Sequence, residues 1–260
     1  LDFLFDLSEP LTFFGTALLL LLAAELGFRM GRGEPPALVE HRRSQASAIQ
    51  TSVLGLLALL LGFTFSMSAA RFELHKQLAM DEANAINTAA LRASLLPQPY
   101  QGELRKLFTP YLQVRLDFLD ADPDQTQDLE RRSRELQQHM WEQASLAIAA
   151  DPQGVANLLL APALTDMFGI AAKRAAAKRG QVPLAVLRLL YFAGGMAFLL
   201  IGYGQGLSSL RVLKLVVILA ALVAAVMTLI IDFDRPRGGL IQISQQGLEE
   251  LQQSLGGAAP

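Results

Sequence analysis

The chain has 260 residues and a formal net charge of −2; 52% of its residues are hydrophobic and only 18% are charged. Soluble domains carry roughly 25% charged residues, so this composition marks a membrane class. The near balance of charge gives no reason to expect nucleic acid as a partner. With no cysteine, disulfides, thiolate metal sites and cysteine nucleophiles are excluded. His41, His75 and His139 stand too far apart in sequence to argue for an all-histidine metal site.

In chain order, the first apolar run is Leu11–Met30. At about 20 residues it is long enough to cross roughly 30 Å of hydrocarbon. The residues before it include Asp2, Asp6 and Glu9 and no basic residue, which argues for a span rather than a cleaved signal peptide. Glu25, near the end of this run, stands one helical turn from Arg29 and reads as an interfacial ion pair. Further spans are expected at Ala48–Ala70, Leu184–Gly204 and Leu210–Ile231.

Between the second and third spans lies a mostly polar insert with no alternating strand pattern. Four helices are expected there. Arg71–Leu96 is stopped by Pro97 and Pro99. Gln101–Leu119 has Leu104, Leu107, Phe108, Tyr111 and Leu112 at helical spacing. Gln125–Ala150 has Asp124 as a plausible N-cap, and Gln153–Arg179 has a potential break at Pro162. The expected protein is an all-α membrane protein: four transmembrane helices with a large extramembrane helical insert between spans two and three. Its expected parts are a transmembrane hairpin over residues 1–70, the helical domain over 71–183, a second hairpin over 184–233 and a tail over 234–260, with one short amphipathic helix at Gln245–Leu255.

Four spans place both termini and the insert on one side. Arg29, Arg32, Arg42, Arg43, Arg211 and Lys214 flank the short loops; Arg71, Lys76, Lys173, Arg174, Lys178, Arg179, Arg235 and Arg237 flank the other side. The positive-inside counts nearly cancel, and the acidic N-terminal segment tips the balance toward an external insert.

Two features carry candidate function. The end of the second span breaks a uniform Leu/Ala run with Gly62, Phe63, Thr64, Phe65, Ser66, Ser68 and Ala69. Phenylalanines can gate by dewetting and hydroxyls can replace part of an ion's hydration, so Gly62, Phe63, Phe65, Ser66, Ser68 and Ala69 are pore or gate candidates; lipid-facing or helix-packing positions are the alternative. Beyond them, Gln77, Asp81, Asn84, Thr88 and Arg92 share one helical face. With Arg71 they form a polar stripe that either is simply solvated or lines an aqueous vestibule. Arg71, Lys76 and Arg92 would favour anions at a pore mouth, whereas Asp81 and Glu82 oppose that sign.

The blocks LGLLALLLGFTFSMSAARF, DEANAINTAALRASLLPQPY and IIDFDRPRGGLIQIS, in that order, resemble the bestrophin-like domain family of bacterial membrane proteins. The resemblance extends from Ala48 to Leu251. It implies remote similarity to bestrophins, pentameric anion channels with four membrane-spanning segments per subunit, and hence an oligomeric anion-conducting pore in the inner membrane. It also implies a cytoplasmic helical domain, opposite to the side that the charges favour.

Other motifs are weaker. IGYGQG, Ile201 to Gly206, contains the GYG of potassium filters, but it follows a full span and lacks the Thr-Val entry. Gly202 and Gly206 read instead as a small-xxx-small pair that lets span three approach a neighbour. DADPDQTQD, Asp120 to Asp128, starts like a calcium loop but has Gln125 in place of the glycine and Arg131 in place of the bidentate Glu. It reads as an acidic loop capping the next helix. In IDFDRPRGG, Ile231 to Gly239, Asp232, Asp234, Arg235 and Arg237 suggest a turn pinned by ion pairs, with Pro236 ending the helix. Signatures of catalysis or nucleotide binding are missing, so no enzyme, cofactor or metal is expected. The expected partners are the lipid bilayer, inorganic ions and further copies of the chain, five in all by the resemblance. The competing function is a non-conducting scaffold or sensor whose helical insert binds a protein or small ligand.

Overall fold

The computed structural model describes residues 9–121, 123–179, 183–208, 211–233 and 246–257. Every regular element among them is a helix: α1 (Glu9–Arg32), α2 (Pro36–Ala93), α3 (Tyr100–Asp120), α4 (Pro123–Ala150), α5 (Val155–Arg179), α6 (Leu184–Ser208), α7 (Leu213–Phe233) and α8 (Gln246–Gly257). The all-α class is as the sequence indicates. The second span and the first insert helix are one element, the 58-residue α2. At 1.5 Å per residue it is about 87 Å long. It ends at Ala93, three residues short of Leu96.

Among the described residues five helices are long and apolar enough to cross a bilayer, one more than expected: α1, α2, α5, α6 and α7. The addition is α5, whose stretch from Val155 to Ala171 carries one acid and no base. Length and composition alone do not distinguish such a helix from one buried in a bundle.

The chain divides into two compact units, Leu1–Phe72 with Gln181–Ile241, and Glu73–Gly180 with Gln242–Pro260. In the first, Leu20, Leu57, Leu190, Phe198, Ala220, Met227 and Ile230 form the core. Outside it, Phe14, Leu22, Phe192, Ile218 and Leu222 are each more than half exposed. Apolar side chains this numerous on a surface are expected where lipid replaces water.

Helices α1 and α6 touch backbone to backbone. A Cβ built on Gly27 would land on the Leu199 carbonyl, and one on Gly202 would land on the Ala24 carbonyl; Gly31 and Gly206 meet Tyr203 and Phe28 in the same way. Two glycine pairs, each at i, i+4, thus build the close approach expected of Gly202 and Gly206. The hydroxyls of Thr16 and Tyr191 bond at 3.0 Å across the same pair of helices. Glu25 accepts from Arg29 at 2.9 Å, as expected, and also from Arg211 at 2.5 Å.

The second unit is a helical bundle. Ile86 and Ala89 of α2, Leu104, Phe108, Tyr111 and Leu112 of α3, Met140 and Ala144 of α4, and Leu160, Leu164 and Met167 of α5 are buried together with Leu248 and Leu251 of α8. The apolar face expected on α3 is therefore its core face. The tail contributes α8, with Gln252 Nε2 donating to Gln113 Oε1 at 2.6 Å. Pro162 lies inside α5 without ending it. Helix α4 starts at Pro123, so Asp124 is not its N-cap and Asp124–Asp128 are helical rather than loop. Acids in a first turn suit the helix dipole, and Asp128 pairs with Arg131 and, at 2.9 Å, with Arg132.

At its other end α4 is closed by Asn157, whose Nδ2 donates to the carbonyls of Ala147 at 3.1 Å and Asp151 at 2.7 Å. Each carbonyl also accepts one backbone N–H, from Asp151 and Gly154 respectively at 3.2 Å, so Asn157 supplies a second donor to each and ties α5 to the turn that follows α4. Asn157→Ala is expected to cost about 1–2 kcal/mol. Denaturant unfolding followed by the fluorescence of Trp141, the single tryptophan of the chain, checks this; an unchanged midpoint would refute the cap.

Candidate functional site

Helix α2 carries both candidate features, one in each unit. In the first unit the six pore candidates separate. Gly62 and Ser66 are exposed, and Phe63 is 67% exposed. These three share a face with Leu59 and Ala70, which are also uncovered. Phe65 is 37% exposed and packs on Phe233 of α7 with ring centroids 5.8 Å apart. Ala69 is half-buried. Ser68 is fully buried and its Oγ has no hydrogen-bond partner among the described residues, while the neighbouring Thr64 hydroxyl donates to Leu60 O at 2.7 Å. Gly62, Phe63 and Ser66 therefore form one uncovered face; Phe65 is exposed beside Phe233, and only Ser68 of the six is buried. Arg71 is half-buried.

In the second unit, Ala79, Ala83, Ile86, Ala89 and Ala93 of α2 are buried. The stripe lies on the opposite side: Gln77, Asn84 and Thr88 are exposed, and Asp81 and Arg92 half-buried. Asp81, Asn84, Thr88 and Arg92 form one wall of an open groove of about 430 Å³, whose other wall is Ala163, Thr165, Asp166, Gly169, Ile170 and Lys173 of α5. Gln77 does not line it. Arg92 is held by its Nη1 donating to Leu159 O at 2.9 Å. Two acids and two bases line the groove, so it holds both signs without a large net field.

Glu82 is not a mouth residue. It is buried, with Arg115 Nε donating to its Oε1 at 2.5 Å and Arg174 Nη1 to its Oε2. Reading the sequence for exposed stripes overlooked Arg115 and Arg174. The signal was present: Arg115 stands four residues after Tyr111, on the apolar face of α3, and Arg174 stands three after Ala171 and seven after Met167.

Ile201–Gly206 is helical, with Gly202 against the α1 backbone, so it does not form a filter loop. Of the segment Ile231–Gly239, Ile231, Asp232 and Phe233 end α7, with Asp232 buried; Asp234, Arg235, Pro236 and Arg237 lie outside the described residues, as do Asp2, Asp6 and Asp122. Among the described residues no group of His, Asp and Glu is placed to hold a metal ion.

The family model of the Bestrophin-like domain matches residues 18–248. No curated protein and no solved structure matches the chain.

Proposed function

We infer the function from one premise: the chain belongs to the Bestrophin-like domain family. It is a multi-pass, all-α membrane protein, and the reading that fits it best is a homo-oligomeric ion channel of the bacterial inner membrane, conducting anions such as chloride and without catalytic activity. Four spans serve this reading: α1, the first part of α2, α6 and α7. Helix α5 is then a bundle helix, because Leu160, Ala163, Leu164 and Met167 are buried in the insert core and Arg174 is ion-paired there.

The observation that carries the reading is the face of α2 bearing Gly62, Phe63 and Ser66, which nothing among the described residues covers. A glycine beside an aromatic ring, with a hydroxyl one turn on, breaks the uniform apolar surface that lipid favours. The three residues suit an axis shared by several copies, with Phe63 as a dewetting constriction and Ser66 as a hydroxyl donor to an anion.

Halide and potassium efflux from liposomes holding the purified protein tests this. Halide efflux above that of empty liposomes is expected. Phe63→Ala should speed it by widening the constriction, and Arg71→Glu should reduce the preference for halide over potassium. A folded, oligomeric protein that passes neither ion would overturn the reading. The groove between α2 and α5 would then favour the second one, a non-conducting sensor whose helical unit binds a small polar ligand.

A further inference from the structure

We propose that the second unit holds a small inorganic anion against Arg115 and Arg174, inside the bundle of a single subunit. Glu82, Arg115 and Arg174 come from α2, α3 and α5 and are 0%, 1% and 4% exposed. One carboxylate faces two guanidiniums, so the three side chains sum to one positive charge. A guanidinium does not shed its proton in a protein. Burying an uncompensated charge is severely unfavourable unless a counter-charge accompanies it.

The hydrogen bonds show the same deficit. Each arginine spends one nitrogen on Glu82, and the Nη2 of each is shut off from solvent with no partner among the described residues. Among the described residues, Glu82 is the one acid in ion-pair range of either guanidinium. The phenol of Tyr111 cannot supply the charge: burial pushes its pKa up, and its oxygen accepts from Gln137 at 3.1 Å. The Phe118 ring lies 4.7 Å from the Arg115 guanidinium carbon. A ring face attracts the cation but accepts no in-plane N–H. Both arginines grip the same carboxylate, so the two unmet N–H groups belong to side chains that meet at Glu82. What is missing is a hydrogen-bond acceptor with one negative charge, small enough for a closed interior: a halide or nitrate-sized ion. Water would meet the donors but not the charge.

This does not depend on whether the protein conducts ions, and its test uses no flux. The full-length protein in detergent is melted at constant ionic strength while chloride, bromide or nitrate replaces gluconate, with Trp141 fluorescence as the readout. A saturable rise in Tm with each small anion is expected. Arg174→Met leaves the neutral Glu82–Arg115 pair and should abolish that rise. Equal Tm in chloride and gluconate, or a rise that persists in Arg174→Met, overturns the proposal. If that variant does not fold, anomalous scattering from bromide-grown wild-type crystals decides: a peak beside the two guanidiniums supports the site, and its absence there overturns it.

Discussion

Glu82→Ala is expected to destabilise the second unit by about 3–5 kcal/mol, the range seen when one partner of a buried ion pair is removed. The reason is what the substitution leaves behind. Arg115 and Arg174 stay in the interior with neither a carboxylate nor solvent to meet their charge. Glu103→Ala is the comparison. Glu103 pairs with Lys106 at 2.7 Å, but both side chains are exposed, so its loss should cost no more than about 1 kcal/mol. Denaturant unfolding followed at Trp141 reads both variants. If Glu82→Ala cost as little as Glu103→Ala, the triad would not hold the bundle together.

Gly202→Val is expected to prevent the first unit from packing. A Cβ at Gly202 falls on the Ala24 carbonyl and lies 2.9 Å from the Phe28 amide nitrogen. Both are backbone atoms of α1, so no side-chain rotation relieves the clash. The helices must separate, and with them go the neighbouring contacts at Gly27, Gly31 and Gly206. Overpacking a core typically costs about 1–3 kcal/mol, and a rigid backbone neighbour places this case at or beyond the top of that range. Gly195→Ala is the control, because nothing lies within 4 Å of a Cβ there. Alanine at that site should be neutral or stabilising, since glycine costs roughly 1 kcal/mol in a helix interior. Yield and monodispersity after detergent extraction distinguish the two. A Gly202→Val protein that elutes and melts like wild type would show that α1 and α6 do not cross at these glycines.

Much of this was written in local periodicity. The apolar runs placed α1, α6 and α7, the spacing of Leu104, Phe108, Tyr111 and Leu112 picked the core face of α3, and Gly202 with Gly206 marked a helix contact. Asn84 and Thr88 were separable from Ala83, Ile86 and Ala89 for the same reason: a 3.6-residue period assigns each side chain to a face.

Hydropathy misled at one junction. It divided α2 near Ala70, where the composition turns polar. Helical hydrogen bonding is local to the backbone and indifferent to that change, and no proline or glycine stands between Phe63 and Ala93 to interrupt it. Hydropathy likewise could not say whether α5 belongs to a bilayer or a bundle, because apolar length is common to both.

The sequence by itself determined an all-helical membrane chain, its family, the inward and outward faces of α3 and of the second half of α2, and the contact edge of α6. Which face meets which helix was decided by tertiary structure alone. Glu82, Arg115 and Arg174 each fall on the core face of their own helix, yet they are 33 and 92 residues apart along the chain from Glu82. A period names a face and carries no information about the partner across it. Only packing turns three ions on three apolar faces into one buried cluster, and leaves Gly62, Phe63 and Ser66 uncovered on a fourth surface.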